Sequence, residues 1–161
     1  MMRKMFMSRV ALLAAFAVFG CGGAGTPGQA LIEVPEMGLT MQAPSGWRVH
    51  RERGAPLVCY WGDFATCIVM SERLEGKPFR EYARELSSES RGSRIVSSTT
   101  LSVNGRDAVR DVIESAYGST LLKLYIHRGD ELVMVSFATR TGDFPGQEAS
   151  LLKSLESVRI K

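Results

Sequence analysis

The stretch STLLKLYIHRGDELVMVSFAT, residues 119 to 139, decides the fold. Two apolar-rich runs, Ser119 to His127 and Glu131 to Thr139, flank Gly129-Asp130, a pair suited to a two-residue turn. A turn of that length sets the register. Ile126 then faces Val133, Leu124 faces Val135 and Leu122 faces Phe137, giving one clean apolar face. The opposite face holds Leu121, Tyr125, Leu132 and Met134 around Lys123 and Ser136. A hairpin apolar on both sides belongs at the centre of a sheet covered on both sides. Arg128-Gly129-Asp130 also spells an adhesion tripeptide, but glycine and aspartate there are what a tight turn demands.

Outward from this hairpin the pattern stays mostly antiparallel. Arg94 to Val103 is a β-branched strand, Asn104-Gly105 is a strong hairpin signal, and the return strand runs from Arg106 to about Tyr117. Upstream, Gly76-Lys77-Pro78 starts a helix with Pro78 at its first position. Phe79, Tyr82, Ala83 and Leu86 recur at i, i+3, i+4 and i+7 and form its buried stripe, and the helix frays at Ser87 to Ser90. Downstream, Phe144-Pro145-Gly146 opens a last helix with Leu151, Leu152 and Leu155 inward, and Val158 and Ile160 end the chain as a short extension. Nearer the start, Leu31 to Val34 and Gly38 to Ala43 are short strands, Pro44-Ser45-Gly46 is a turn, and Trp47 to Arg53 alternates Trp47 and Val49 with Arg48 and His50 so that one face is wet. Two helices on a two-faced sheet predict an α+β fold, mostly antiparallel, layered as an α/β/α sandwich.

The first 21 residues are an address. Arg3, Lys4 and Arg9 precede an apolar run from Val10 to Phe19. As a helix that run covers about 15 Å, against a bilayer core roughly 30 Å thick, so it reads as a removable signal and not an anchor. Three of the 20 basic residues lie within residues 1–20 with none of the 17 acidic ones, and the 141 residues from Cys21 onward are therefore balanced at 17 of each sign. Such a domain has no overall field to attract nucleic acid or an anionic surface. The box Val18-Phe19-Gly20-Cys21 resembles the end of a bacterial lipoprotein signal, in which the cysteine is acylated and becomes the new N-terminus. The alternative is an ordinary secretory signal cut near Ala24, with Cys21 lost. By the lipoprotein resemblance the domains are a signal over 1–20, a lipidated Cys21 and flexible tether over 21–30, and one globular domain over 31–161. Gly22 and Gly23 lack the aspartate that retains many lipoproteins at the inner membrane, so the same resemblance favours the outer membrane.

Lipidation of Cys21 leaves Cys59 and Cys67 as an even pair, which an oxidising periplasm allows to join. For Cys59 to face Cys67 the hairpin turn must centre on Asp63, because a Gly62-Asp63 turn would set Cys59 against Thr66. A loop this small stabilises by roughly 2 to 3 kcal/mol when closed. Tyr60, Trp61 and Phe64 on that turn, with Arg48 and Arg51 nearby, form the candidate partner surface, set against the alternatives that the aromatics cap the core and the arginines keep an edge soluble. No catalytic or metal site is expected. There is no G-x-S-x-G elbow, P-loop, dinucleotide fingerprint or calcium loop, and His50 and His127 read as solvent-facing.

Gly38-Leu39-Thr40-Met41-Gln42-Ala43-Pro44-Ser45-Gly46-Trp47 resembles the opening strand and Pro-x-Gly-Trp turn of the PsbP-like superfamily, which includes DcrB-like bacterial lipoproteins. The helix after the second hairpin, the Val103 to Ala108 hairpin and the closing helix into Ser157-Val158-Arg159-Ile160 match in the same order, over residues 31 to 161. The resemblance implies a docking or assembly module without cofactor or catalysis, held to a membrane by its lipid and acting on an envelope protein. It carries over no binding residues. A carrier or sensor of a small apolar ligand, with a cavity between sheet and helix, is the competing expectation.

Overall fold

The computed structural model describes residues 30–50, 58–61, 65–89 and 92–161. The chain opens with β1 (Leu31–Val34), a 3-10 turn (Pro35–Met37) and β2 (Leu39–Gln42). Next come β3 (Arg48–His50), β4 (Val58–Trp61) and β5 (Ala65–Arg73), then helix α1 (Phe79–Ser88). Four long strands follow: β6 (Arg94–Val103), β7 (Arg106–Glu114), β8 (Ser119–Arg128) and β9 (Glu131–Arg140). Helix α2 (Phe144–Glu156) and β10 (Arg159–Ile160) close the chain. No helix among the described residues is long and apolar enough to cross a membrane.

The β8–β9 hairpin has the expected register, with Ile126 opposite Val133, Leu124 opposite Val135 and Leu122 opposite Phe137. It lies centrally in a seven-stranded antiparallel sheet of order β3-β4-β5-β9-β8-β7-β6. One face of this sheet carries the main core, in which Leu122, Leu124, Val135 and Phe137 meet Leu151 and Leu155 of α2. The other face carries a smaller cluster in which Val109, Tyr125 and Leu132 meet Phe79 and Ala83 of α1. The mixed α+β class and the helix-sheet-helix layering both follow from this two-sided burial. At the β6–β7 turn Asn104 and Gly105 both have positive φ, 50° and 76°, as the Asn-Gly pair predicts.

Several local readings change. The closing segment is no mere extension: β10 pairs antiparallel with β2, and β2 with β1, in a second, three-stranded sheet. That sheet contributes Ile32, Val34, Leu39, Met41 and Ile160 to the main core. Trp47 lies outside β3 and does not share a wet-sided strand with Val49. The Pro44–Trp47 turn drives its ring inward, edge-on to Phe137 at 5.5 Å, while Val49 is exposed. Pro78 precedes helix α1 with an extended ψ of 131° and lends its carbonyl to the first helical bond, from Tyr82 N–H. The return strand β7 stops at Glu114, where Ser115–Gly118 makes a turn. His127 is half-buried and stacks on Phe79 at 5.1 Å instead of facing solvent.

Candidate functional site

Cys21, Arg51 and Phe64 fall outside the described residues. Cys59, Tyr60 and Trp61 are placed as β4 backbone, with their side chains outside the description. The strand register sets Cys59 directly opposite Cys67 and Tyr60 opposite Thr66, the pairing that a Cys59–Cys67 bridge requires. Opposed antiparallel residues have Cα separations near 4.5 to 5.5 Å, within the range a disulfide spans. No disulfide is present among the described residues. Cys67 itself is fully buried against the main core. Arg48 is exposed on β3, at one margin of the seven-stranded sheet.

The densest chemistry lies elsewhere, beneath the C-terminal end of α1. Ser87, expected in a fraying tail, is 2% exposed and remains helical. Its hydroxyl donates to Asp111 Oδ2 on β7 at 2.5 Å and lies 2.9 Å from the hydroxyl of Tyr125 on β8. Serine has one proton, and the carboxylate takes it, so Tyr125 donates to Ser87. Asp111 Oδ1 has no hydrogen-bond partner. Lys123 stands opposite Asp111 across β7 and β8, and its ammonium reaches Leu86 O at 3.4 Å. Closer to the start of α1, Tyr82 donates to Glu72 at 2.8 Å. Two sequence signals mark this cluster. Phe79, Ala83 and Ser87 are spaced by four on the buried stripe, and Asp111 interrupts the apolar alternation of Val109 and Ile113.

This cluster offers no site for turnover. Ser87, Asp111 and Tyr125 are each at most 2% exposed, so a substrate has no approach, and among the described residues no imidazole accompanies the hydroxyl. It acts as a polar clamp of helix to sheet. Burial, reinforced by the Glu72 contact, pushes Tyr82 up to about 12, and burial raises Tyr125 further still. Burial lowers Lys123, against the pull of Glu89 and Asp111. The folded state thus holds the two phenolic protons above pH 10, where the unfolded chain releases them. That stability is complete below pH 10 and drains as pH climbs toward 12. Lys123 acts oppositely, its penalty fading as pH rises toward 10.5. Urea midpoints measured from about pH 9 to about pH 12 should therefore hold or rise slightly and then fall above 10. A decline already complete below pH 10 would refute the assignment.

On the other face, a cleft of about 200 Å³ opens between the end of α2 and the β6–β7 hairpin. Leu101, Val103, Leu124, Leu155 and Val158 line it, with Arg110, Arg159, Glu156 and Asn104 as polar neighbours. Arg159 is spent on the carbonyls of Glu156 and Val158. Exposed apolar side chains gather where β6 begins beside the β7–β8 turn: Ile95 is 37%, Val96 46% and Tyr117 88% exposed. Among the described residues no three His, Cys, Asp or Glu side chains converge as a metal site would need.

A seven-stranded antiparallel sheet with one helix on each face and a small sheet beside the second helix is an arrangement shared with a solved PsbP structure. The cyanobacterial PsbP, CyanoP, from Synechocystis aligns over 88% of this chain and 98% of its own, with a TM-score of 0.63 and 11% identity. LpqN of Mycobacterium tuberculosis, described as involved in cell envelope biogenesis, covers 83% of this chain and 91% of its own at a TM-score of 0.64 and 10% identity. A Pseudomonas aeruginosa protein of unknown function covers 80% and 94%, at a TM-score of 0.53 and 18% identity. No family model matches the sequence, and no curated protein does.

Proposed function

We propose that this chain is a lipid-anchored module of the bacterial cell envelope that works through protein–protein contacts, without catalysis. The observation that carries the proposal is the contrast between a closed interior and an apolar exterior. Between α2 and the large sheet, Leu122, Leu124, Phe137 and Leu151 are at most 1% exposed, while Ile95, Val96 and Tyr117 stand in solvent. A carrier of apolar ligands would need a cavity there, and the cleft found on that side among the described residues, about 200 Å³, is smaller than the roughly 300 Å³ at which small-molecule sites begin. The leader and Cys21 supply location, and the LpqN likeness is in keeping with an envelope setting, with the outer membrane favoured. The contact surface read from the sequence, Arg48, Arg51, Tyr60, Trp61 and Phe64, belongs to this proposal, as does a Cys59–Cys67 bridge that the strand register permits.

With Cys21→Ala the mature protein is expected to move from the membrane fraction to the soluble fraction, and mass spectrometry of the wild-type N-terminus should show an acylated cysteine. Full membrane sedimentation of the variant would overturn the tether. Photo-crosslinkers placed at Arg48 and Tyr117 in living cells should trap a discrete envelope protein. Alkylation of the unreduced, denatured protein should leave Cys59 and Cys67 unlabelled if the bridge forms.

A further inference from the structure

We infer that β6 is a strand-addition site for an extended partner segment that places a carboxylate and an apolar side chain two residues apart. The inference rests on the protein-binding proposal and names the surface and chemistry for it. β6 is the outermost strand of the seven-stranded sheet, ten residues long, and Arg94 to Thr100 are all exposed. Its outer row of backbone N–H and C=O groups faces no other strand among the described residues. Sheet edges are commonly protected by lysine, proline, inward charges or bulges. The one irregularity lies between Ile95 and Ser97, so Ser97 to Val103, reading SSTTLSV, stays regular and carries neither charge nor proline.

The edge adjoins a receptor for side chains. Leu101 and Val103 of β6 line the cleft shared with α2, and Arg110 of the neighbouring strand β7 lies opposite Thr99 in register and borders the same cleft. The Arg110 side chain is half-buried and has no hydrogen bond or ion pair among the described residues. Side chains of an added strand fall alternately on the two faces, so residues i and i+2 both point to the α2 side. One fills the apolar cleft, whose volume suits a single side chain, and the other meets the Arg110 guanidinium. A second copy of this chain fits less well. Its own β6, RIVSSTTLSV, has no acidic residue and would leave Arg110 uncompensated.

The test selects a random octapeptide display library against the full-length protein in detergent micelles. Enriched peptides are expected to share an acidic residue at i and an apolar one at i+2. Fluorescence anisotropy with the synthetic consensus peptide should show binding weakened about tenfold or more in both Arg110→Gln and Arg110→Glu, provided that the circular dichroism of each variant matches wild type. Hydrogen exchange of the Ser97 to Val103 amides should slow on binding. The inference fails if no such peptides are enriched, if the arginine variants bind equally well, or if protection appears elsewhere. It also fails if a photo-crosslinker at Thr99 traps only a second copy of the chain. A partner protein trapped from Arg48 and never from Thr99 removes the β6 assignment while leaving the binding module intact. The absence of protein adducts from Arg48, Thr99 and Tyr117 alike removes the module itself.

Discussion

Ser87→Ala is expected to lower the folding free energy by about 3 kcal/mol, far more than an exposed serine near a helix end would. Among the described residues the hydroxyl is the one hydrogen-bond donor that reaches the Asp111 side chain, whose other carboxylate oxygen has no partner there. Removing it strands a charge that is 2% exposed, and an unpartnered buried charge is among the few defects that outweigh a lost methyl contact. Tyr125→Phe should lose only about 1 kcal/mol, because the Ser87–Asp111 bond survives. The double variant Ser87→Ala with Asp111→Ala should be no less stable than Ser87→Ala alone, since the stranded charge leaves with its partner. Urea unfolding followed by the fluorescence of Trp47 and Trp61 reads all three. With Asp111→Ala also measured alone, strict additivity of Ser87→Ala and Asp111→Ala in the double variant would refute the clamp.

Removing residues 158 to 161 is expected to destabilise by about 4 kcal/mol, from the loss of two buried side chains at roughly 1.5 to 3 kcal/mol each. Val158 and Ile160 are 1% and 6% exposed in the main core. Beyond them, Ile160 N–H donates to the Asn104 side chain and Lys161 N–H to Gly38 O, which ties the β6–β7 turn and the β1–β2 hairpin to the end of the chain. For a domain whose stability is typically 5 to 15 kcal/mol, this is a large share. Ile160→Asp alone should reproduce more than half of the loss in the same urea titration. A truncated protein with an unchanged midpoint would mean that the small sheet holds without its third strand.

The two predictions differ in how far the sequence announced them. Strand alternation needs only the pleat, so the β8–β9 register and the two-sided burial of the central hairpin were legible from residue order, whereas the register of Cys59 against Cys67 was left between two turns. The stripe Phe79, Tyr82, Ala83 and Leu86 was legible for the same local reason. Ser87 was misread because a serine in a serine-rich tail favours fraying on propensity alone, and the carboxylate that holds it lies 24 residues away. Arg110 beside β6, without a side-chain partner among the described residues, was equally silent, since no residue type declares what it pairs with.

Taken alone, the amino-acid order determined the class of fold, the turns and the faces of the strands, because each depends on periods of two or four residues and on the backbone preferences of glycine, asparagine and proline. Only the tertiary structure decided that β5 would pair with β9, that a two-residue strand would complete a second sheet, and that β6 would be the last strand of the large sheet, beside an apolar cleft. Those outcomes join segments tens of residues apart, and they are selected by the joint burial of the whole core, which no local stretch contains.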